Sequence, residues 1–462
     1  MPAVERARSS ADDDFERRLI ELSAARVPDR ELRMERCAAL LAETGPLLAG
    51  IPLIKVTGTN GKGSVAAMLE ACLEAAGKRV GLFTSPHLER VTERLRIGGV
   101  EIASADFAAH LEEVESSVGR LLRKRGTRFT PSFFEALLLI SLHAFRAAGV
   151  DALVYEAGVG GAHDPVSLLP GPLSLLTTVA LDHEDELGHS AVQIAREKAG
   201  IADAGSILVL GPAVRGQVRR AVAGAAAVRG VRLLRARRDL LESRRADAAG
   251  ALVEARLHGS GSVVLRLPLA GDFQLDNLAT VIAALGELAA AGIVPREPSC
   301  LRGVEATCWP SRLQYLPGTP DWLLDGAHNE EAIAALATAV ETHHGGRDRV
   351  LVFGTAARKS YRRYLHRLPS IAQEAWLTDD FDGAEDCARL TAALAGTMAV
   401  TGSSASISEL LARLLARPAT RGSLVIVAGS LYLAGKVRRW LADRGTGWEH
   451  GRRPPGASGP CC

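Results

Sequence analysis

The chain has 462 residues, 47% of them hydrophobic and 23% charged, with 46 glycines and 21 prolines. Those proportions suit a folded chain of two or three domains and exclude a low-complexity or largely disordered one. Lysine and arginine number 55 against 53 aspartate and glutamate, a net charge of +2, which leaves no electrostatic footprint for nucleic acid.

In chain order, residues Phe15–Leu48 read mostly as helices. Ile51–Val56 is a short apolar run that reads as a strand. It leads into Gly58-Thr59-Asn60-Gly61-Lys62-Gly63-Ser64. Helical spacing then begins at Val65, Met68, Leu69, Cys72 and Ala76 and stops at Gly77. Val80–Phe83 is the next strand, which completes a strand–loop–helix–strand unit. Ser132–Ala147 reads as a helix and Asp151–Glu156 as a strand, followed by the glycine-rich turn Gly158–Gly161. Leu175–Leu181 is expected as a strand ending at Asp182-His183. Ala191–Ala199 is a helix closed by Gly200, and Ser206–Leu210 is a further strand.

The basic stretch Arg215–Arg245 lacks interleaved aromatics and reads as a solvated helix face. Ala251–His258 and Ser262–Leu267 alternate like a hairpin. Proline and glycine punctuation over Pro295–Pro310 places a domain boundary near residue 305. A second α/β series follows, with strands at Trp322–Leu324, Arg349–Phe353, Glu374–Thr378 and Leu424–Ala428. The Gly-, Pro- and Arg-rich tail is expected to be disordered.

No apolar run is long enough to span a membrane; Phe133–Phe145 and Leu173–Leu181 are short or broken. Met1–Arg18 mixes acids and bases without the apolar stretch of a signal peptide. The seven cysteines (Cys37, Cys72, Cys300, Cys308, Cys387, Cys461 and Cys462) form no Cys-x-x-Cys pair. A reducing, cytoplasmic setting is expected rather than a disulfide framework or zinc site.

Gly58–Ser64 joins a strand to a helix, so backbone N–H groups can face phosphate oxygens. Lys62 adds a positive charge and Ser64 a hydroxyl for Mg²⁺. A chance glycine turn seldom has that context. Gly63 separates Lys62 from Ser64, unlike the usual Walker spacing of kinases and GTPases. Ser64, Glu156 and His183 each lie at or just past an expected strand end. There, in an open parallel sheet, ligands bind. A hydroxyl, a carboxylate and an imidazole suit Mg²⁺ when phosphate supplies further oxygens. Taken singly, Glu156 reads as a turn cap and His183 as a loop histidine. Lys198 has Ile194 and Ala202 four residues away, so no acid on its own helix pairs with it.

Several motifs in order carry a resemblance. They are Val56–Ser64, Leu82-Phe83-Thr84-Ser85-Pro86-His87-Leu88, Glu93-Arg94, Phe133-Phe134-Glu135, and Glu156 with Gly158–Gly161. Leu181-Asp182-His183, Arg196–Ile201, Trp309-Pro310 with Arg312-Leu313-Gln314, Asp325-Gly326-Ala327-His328-Asn329 and Gly429–Leu433 complete the series. The sequence resembles the folylpolyglutamate synthase/dihydrofolate synthase family of the Mur ligase superfamily. The resemblance implies an N-terminal P-loop, parallel-sheet ATPase domain over residues 1–305. It also implies a smaller Rossmann-like glutamate-ligase domain over 306–445, ahead of the tail at 446–462.

It further implies an ATP-dependent ligase that activates a carboxylate as an acyl phosphate and joins it to an amine. The acid would be dihydropteroate or a folate, and the amine L-glutamate. ATP would be held by Gly58, Thr59, Asn60, Gly61, Lys62, Gly63 and Ser64. Asn277 would lie on the adenine side, Arg312 and His328 toward phosphates and Asp325 toward the nucleotide. Mg²⁺ would be bound by Ser64, Glu156 and His183, next to a carbamylated Lys198. Lys62, Lys198 and His183 would be catalytic. Ser132, Phe134 and Asp164 match pterin-side positions, and Ser85 and His87 match a mobile loop near the metal and the acceptor. A monomer acting on small molecules, with no nucleic-acid or membrane partner, is the family expectation.

The chain departs from the family where Gly-Gly-Arg-Leu-Asp-Ala-Thr-Asn becomes Gly160-Gly161-Ala162-His163-Asp164-Pro165-Val166-Ser167. Phe273 replaces a histidine, Ser311 a glycine and Ser360 an aspartate. The ATP and metal positions are kept, while the losses touch the acceptor side and domain closure. Two alternatives stand beside the folate reading. One is a ligase of the same mechanism with a different acid or amine, and the other a catalytically degenerate nucleotide-binding protein.

Overall fold

The structure is a computed structural model that describes residues 14–23, 30–46, 48–257, 261–295 and 299–444. The tail expected to be disordered, with Cys461 and Cys462, lies outside the described residues. So do residues 1–13 of the Met1–Arg18 stretch, His258 and Pro298. The chain folds into two compact units. One comprises residues 1–179, 191–236 and 280–300, and the other 180–190, 237–279 and 301–462.

The first unit is built on an eight-stranded sheet. Its strands are β1 (Leu53–Thr57), β2 (Val80–Phe83), β3 (Leu95–Ile97), β4 (Val100–Glu101), β5 (Ala152–Glu156), β6 (Leu173–Leu176), β7 (Ile207–Leu210) and β8 (Arg232–Arg235). They lie in the order β4-β3-β2-β5-β1-β6-β7-β8. All pairings from β2 to β8 are parallel, and β3 and β4 add an antiparallel edge. β1 and β5 are buried along their whole length, as strands covered on both faces must be. Helices Arg30–Thr44, Ser104–Arg125 and Phe133–Ala148 contribute Leu40, Phe107, Leu111, Leu137 and Phe145 to one core with Phe83 and Tyr155 of the sheet. A separate core joins Leu176 and Leu208 to Ala195, Ala199 and Val222.

The second unit holds a six-stranded sheet of β12 (Gln314–Leu316), β13 (Asp321–Leu324), β14 (Arg349–Phe353), β15 (Glu374–Thr378), β16 (Ala399–Ser404) and β17 (Leu424–Ala428). Its order is β12-β13-β17-β14-β15-β16. Only β12 runs antiparallel to its neighbour. The same unit contains a three-stranded antiparallel sheet of β9 (Leu241–Asp247), β10 (Gly250–Leu257) and β11 (Gly261–Leu267). Both units are α/β, and the parallel-sheet N-terminal unit and C-terminal mixed sheet agree with the fold class read from sequence.

Three local expectations need correction. The strand expected over Leu175–Leu181 ends at Leu176, because Thr177 and Thr178 turn their hydroxyls onto the phosphate loop. His183 therefore does not sit at a strand end. It has a left-handed backbone (φ 50°) and precedes the short helix Glu184–Leu187. In the basic stretch Arg215–Arg245 only Gly216–Val228 is α-helical; β8, the 3-10 turn Arg238–Leu240 and the start of β9 account for most of the rest. The expected hairpin is β10–β11. β9 makes it a three-stranded sheet whose outward arginines Arg244, Arg256 and Arg266 pair with Glu254, Glu242 and Asp247 across strands.

Candidate active site

The loop after β1 is braced from β6. Thr59 N donates to Thr178 O at 2.9 Å, Asn60 N to Thr178 Oγ1 at 2.9 Å, and Thr177 Oγ1 to Asn60 O at 2.6 Å. Gly58 has φ +152°, and a Cβ there would stand 1.9 Å from Thr177 Oγ1, so only glycine fits. Gly61 is left-handed (φ 86°) and opens helix Lys62–Ala75. Ser64 lies in its first turn, 2% exposed. Lys62 Nζ reaches the Gly58 and Thr59 carbonyls at 3.2 and 3.4 Å, and Lys198 Nζ reaches Gly58 O at 2.8 Å. Gly58, Thr59, Asn60, Gly61, Lys62, Gly63, Ser64 and Lys198 thus form one cluster. Lys198 is buried, at 3% exposed.

Parallel pairing puts Val56 of β1 opposite Glu156 of β5, and Phe83 of β2 opposite Tyr155. The ends of three adjacent strands therefore carry the phosphate loop, Glu156 and Ser85. Glu156 is buried and its Oε2 accepts Ser85 N at 3.1 Å. Among the described residues no three His, Cys, Asp or Glu side chains gather as a metal cage. The expected Mg²⁺ set is of another kind. A buried hydroxyl and a buried carboxylate are hard oxygen donors that fit Mg²⁺ with phosphate completing the shell.

The glycine turn after β5 lies against the helix that carries Lys198. A Cβ on Gly161 would fall 2.5 Å from Lys198 O. His163 Nδ1 and Glu197 Oε2 are 2.9 Å apart, and His163 N donates to Glu197 Oε1. Asp164 is buried. Its carboxylate accepts Val159 N at 3.0 Å and Val166 N at 2.9 Å, and burial pushes its pKa up to about 6. Phe134 is half-buried, set edge-on to Phe83 at 5.5 Å between ring centres. Its ring also lies 2.9 Å from where a Cβ of Gly158 would be. Ser132 caps the helix Phe133–Ala148, which carries Phe134 in its first turn. Burial, with the Arg94 charge added, pushes His87 down to about 3, and its neutral Nδ1 accepts Arg94 Nε at 3.0 Å. Ser132, Phe134 and Asp164 are thus brought onto segments that meet at the glycine turn.

In the second unit Asp182 is the hub. Lys359 Nζ donates to its Oδ1 at 2.6 Å and lies 3.3 Å from His183 Nε2. His328 Nε2 is 3.6 Å from Asp182 Oδ2. Burial works to raise the Asp182 pKa. His328, Lys359 and His183 outweigh it and hold the carboxyl far below the usual range. A cavity of about 370 Å³ is lined here by Asp182, His183, His328, Lys359, Arg363 and Arg367 among others. The pairing of Lys359 with Asp182, 177 residues away, leaves no local signal in the sequence.

Asp325 is buried with both oxygens on backbone, Oδ2 accepting Leu313 N at 2.8 Å and Oδ1 accepting Ala327 N at 2.7 Å. It shapes the turn that carries Arg312, whose Nη1 passes 3.1 Å from where a Cβ of Gly326 would be. Ser311 and Leu313, on either side of Arg312, are both left-handed, with φ 57° and 47°. Asn277 is buried and donates to Gln274 Oε1 at 2.8 Å.

Residues 311–431 match the model of the Mur ligase, glutamate ligase domain. A folylpolyglutamate synthase of Lacticaseibacillus casei is 34% identical over 336 residues, 70% of this chain and 76% of that protein. A Halobacterium salinarum protein described as a "probable bifunctional folylpolyglutamate synthase/dihydropteroate synthase" is 34% identical over 88% of this chain, which spans only 49% of that relative's length. Among solved structures, Mycobacterium tuberculosis folylpolyglutamate synthase complexed with ADP superposes with a TM-score of 0.82 at 27% identity, covering 97% of this chain and 100% of that one.

Proposed function

We propose that this chain, which belongs to the folylpolyglutamate synthase/dihydrofolate synthase family of the Mur ligase superfamily, is an ATP-dependent ligase adding L-glutamate to dihydropteroate or a folate. In this reading a carboxylate oxygen of the acid attacks the γ-phosphorus of ATP, ADP leaves, and an acyl phosphate results. The glutamate ammonium gives up one proton to become the amine that attacks the acyl carbon, phosphate departs, and a second proton leaves the nitrogen as the amide forms. No protein nucleophile is needed, because alignment and electrostatics carry such a reaction.

The observation that supports this best is the braced Gly58–Ser64 loop with two lysines on the Gly58 carbonyl. Thr59 N and Asn60 N are taken up by Thr178, so the N–H groups beyond Asn60 at the helix start, with Lys62, would offset phosphate charge as the phosphoryl group moves. Mg²⁺, when bound, supplies Lewis-acid charge to the phosphates. Ser64 and Glu156 would hold it, with His183 and a carbamylated Lys198 as the further family-matched positions. Lys198 is buried against the loop, where a carbamate would add a negatively charged oxygen donor beside the ion. Arg312, Asp325, His328 and Asn277 are assigned to the nucleotide, and Ser85, His87, Ser132, Phe134 and Asp164 to the acid. We assign residues 1–305 to ATP binding and 306–445 to the ligase domain, and a monomeric, cytoplasmic enzyme working on small molecules.

The test is purified protein with ATP, glutamate and either dihydropteroate or tetrahydrofolate, read by mass spectrometry. Gain of one glutamyl residue with ADP release supports the reading; no gain with either acid removes it. A second reading, the same chemistry on another acid, is favoured by the glycine turn. Ser167 Oγ there folds back onto Ala162 O at 3.2 Å, at the two positions where the family carries asparagine and arginine. ADP release with other acids in a panel, and none with pteridines, distinguishes it.

A further inference from the structure

Helix Arg30–Thr44 packs against helix Phe133–Ala148 and against the turn Pro165–Leu168. Arg36 is 1% exposed and Glu135 0%. They meet through two parallel hydrogen bonds, Nε to Oε2 and Nη2 to Oε1, both 2.8 Å. Glu135 is also half of a capping box. Its Oε2 accepts Ser132 N at 2.7 Å, while Glu135 N reaches Ser132 Oγ at 3.4 Å. A capping box at a surface needs no further partner. This one is sunk into the core and clamped by a guanidinium from a helix 99 residues earlier.

Stability does not account for the clamp. Burying both ions costs desolvation that an apolar pair of similar volume avoids. Arg36 Nη1, moreover, is buried with no hydrogen-bond partner among the described residues. What the clamp supplies is placement. A bidentate arginine fixes the position and the rotation of the carboxylate it holds. Through Glu135 it fixes the Ser132 backbone and the start of the helix. Phe134 follows directly, wedged between Phe83 and Gly158. Arg33, one turn earlier on the same helix, lies near enough to Asp164 for its charge to act on that carboxyl. One helix face thus serves both Ser132–Phe134 and Asp164.

The geometry points to Arg36 as a positioning residue that acts through Glu135 to hold Ser132 and Phe134 in register for a flat-ringed acid substrate. This rests on the reading that Ser132, Phe134 and Asp164 bind the acid. A ten-fold weakening of acid binding corresponds to losing about 1.4 kcal/mol of contact at that wall.

The test compares the unaltered protein with the double variant Arg36→Met/Glu135→Gln. That variant removes both charges yet leaves a side chain able to accept Ser132 N. The separate KM values for the pteridine acid and for ATP are measured with kcat, and folding is checked by circular dichroism. The acid KM is expected to rise about ten-fold while the ATP KM and kcat stay within about two-fold, the signature of lost ground-state binding. A folded variant with an unchanged acid KM, or with acid and ATP KM rising together, overturns the proposal. Should the double variant not fold, Arg36→Lys, which trades the fork for a point charge, is read the same way, and an unchanged acid KM overturns it equally. Absence of turnover of any pteridine acid by the unaltered protein overturns the functional reading, and this one with it, before any variant is compared.

Discussion

Replacing Ser311 with glycine should make the second unit more stable. Ser311 is fully buried, its φ is 57°, and its Oγ has no hydrogen-bond partner among the described residues. Left-handed backbone costs an L-residue about 1–2 kcal/mol. A buried hydroxyl without a partner costs about 1–3 kcal/mol. Against this, glycine gains about 0.5–1 kcal/mol of freedom in the unfolded chain, and the lost CH₂OH leaves a void worth about 1 kcal/mol. The two backbone hydrogen bonds of the residue, Ser311 N to Gln314 Oε1 and Gly326 N to Ser311 O, survive the change.

The net is a gain of about 0–3.5 kcal/mol, with its middle at about 2 kcal/mol, which at about 2–4 °C per kcal/mol for a unit of this size raises Tm by several degrees. Scanning calorimetry of Ser311→Gly beside Ser311→Ala separates the two causes. Alanine removes the hydroxyl but keeps the strained backbone, so it should recover only part of the gain. A lower Tm for Ser311→Gly than for the unaltered chain refutes the reasoning. Equal gains for glycine and alanine refute the strain part of it.

Gly58→Ala drives a Cβ into Thr177 Oγ1, 1.9 Å away. The loop must shift, and ADP affinity measured by titration calorimetry should fall at least about ten-fold, equivalent to about 1.4 kcal/mol. Under ¹³C-labelled CO₂ the protein should show a carbamate carbon signal that Lys198→Arg lacks. Asp164 has its pKa raised by burial to about 6, so it contributes stability that is complete below its ordinary value of 3.8 and lost as pH rises through about 6. Asp164→Asn should erase that step from a plot of Tm against pH. His87 has the opposite sign. With its pKa lowered from 6.5 to about 3 by burial and Arg94, its contribution is present above 6.5 and lost as pH falls toward 3, and His87→Gln should flatten that limb.

Local patterns made much of the scaffold legible. Val80–Phe83, Arg349–Phe353 after its leading arginine, and Leu424–Ala428 are short apolar runs of the kind a covered parallel strand carries, and they fall where the sequence places them. The strand at Leu175–Leu181 was overrun because apolar content continues past Leu176. What stops it is the commitment of Thr177 and Thr178 to Asn60, a tertiary fact. β16 reads Ala-Val-Thr-Gly-Ser-Ser and lies at a sheet edge, so neither burial nor composition announces it. In the candidate site, Gly58–Ser64 and Glu156 could be read from strand–loop–helix order. The grip of Lys359 on Asp182 and of Arg36 on Glu135 could not, since each joins residues about a hundred or more positions apart.

The threonine brace behind Gly58 has a thermodynamic consequence. Asn60 and Thr59 are tied to Thr177 and Thr178 by bonds within the protein, so a triphosphate would meet a loop that the chain itself holds in place. Its binding entropy should carry little penalty from the chain, and mutations that loosen the brace should surface as an entropic loss at nearly constant heat.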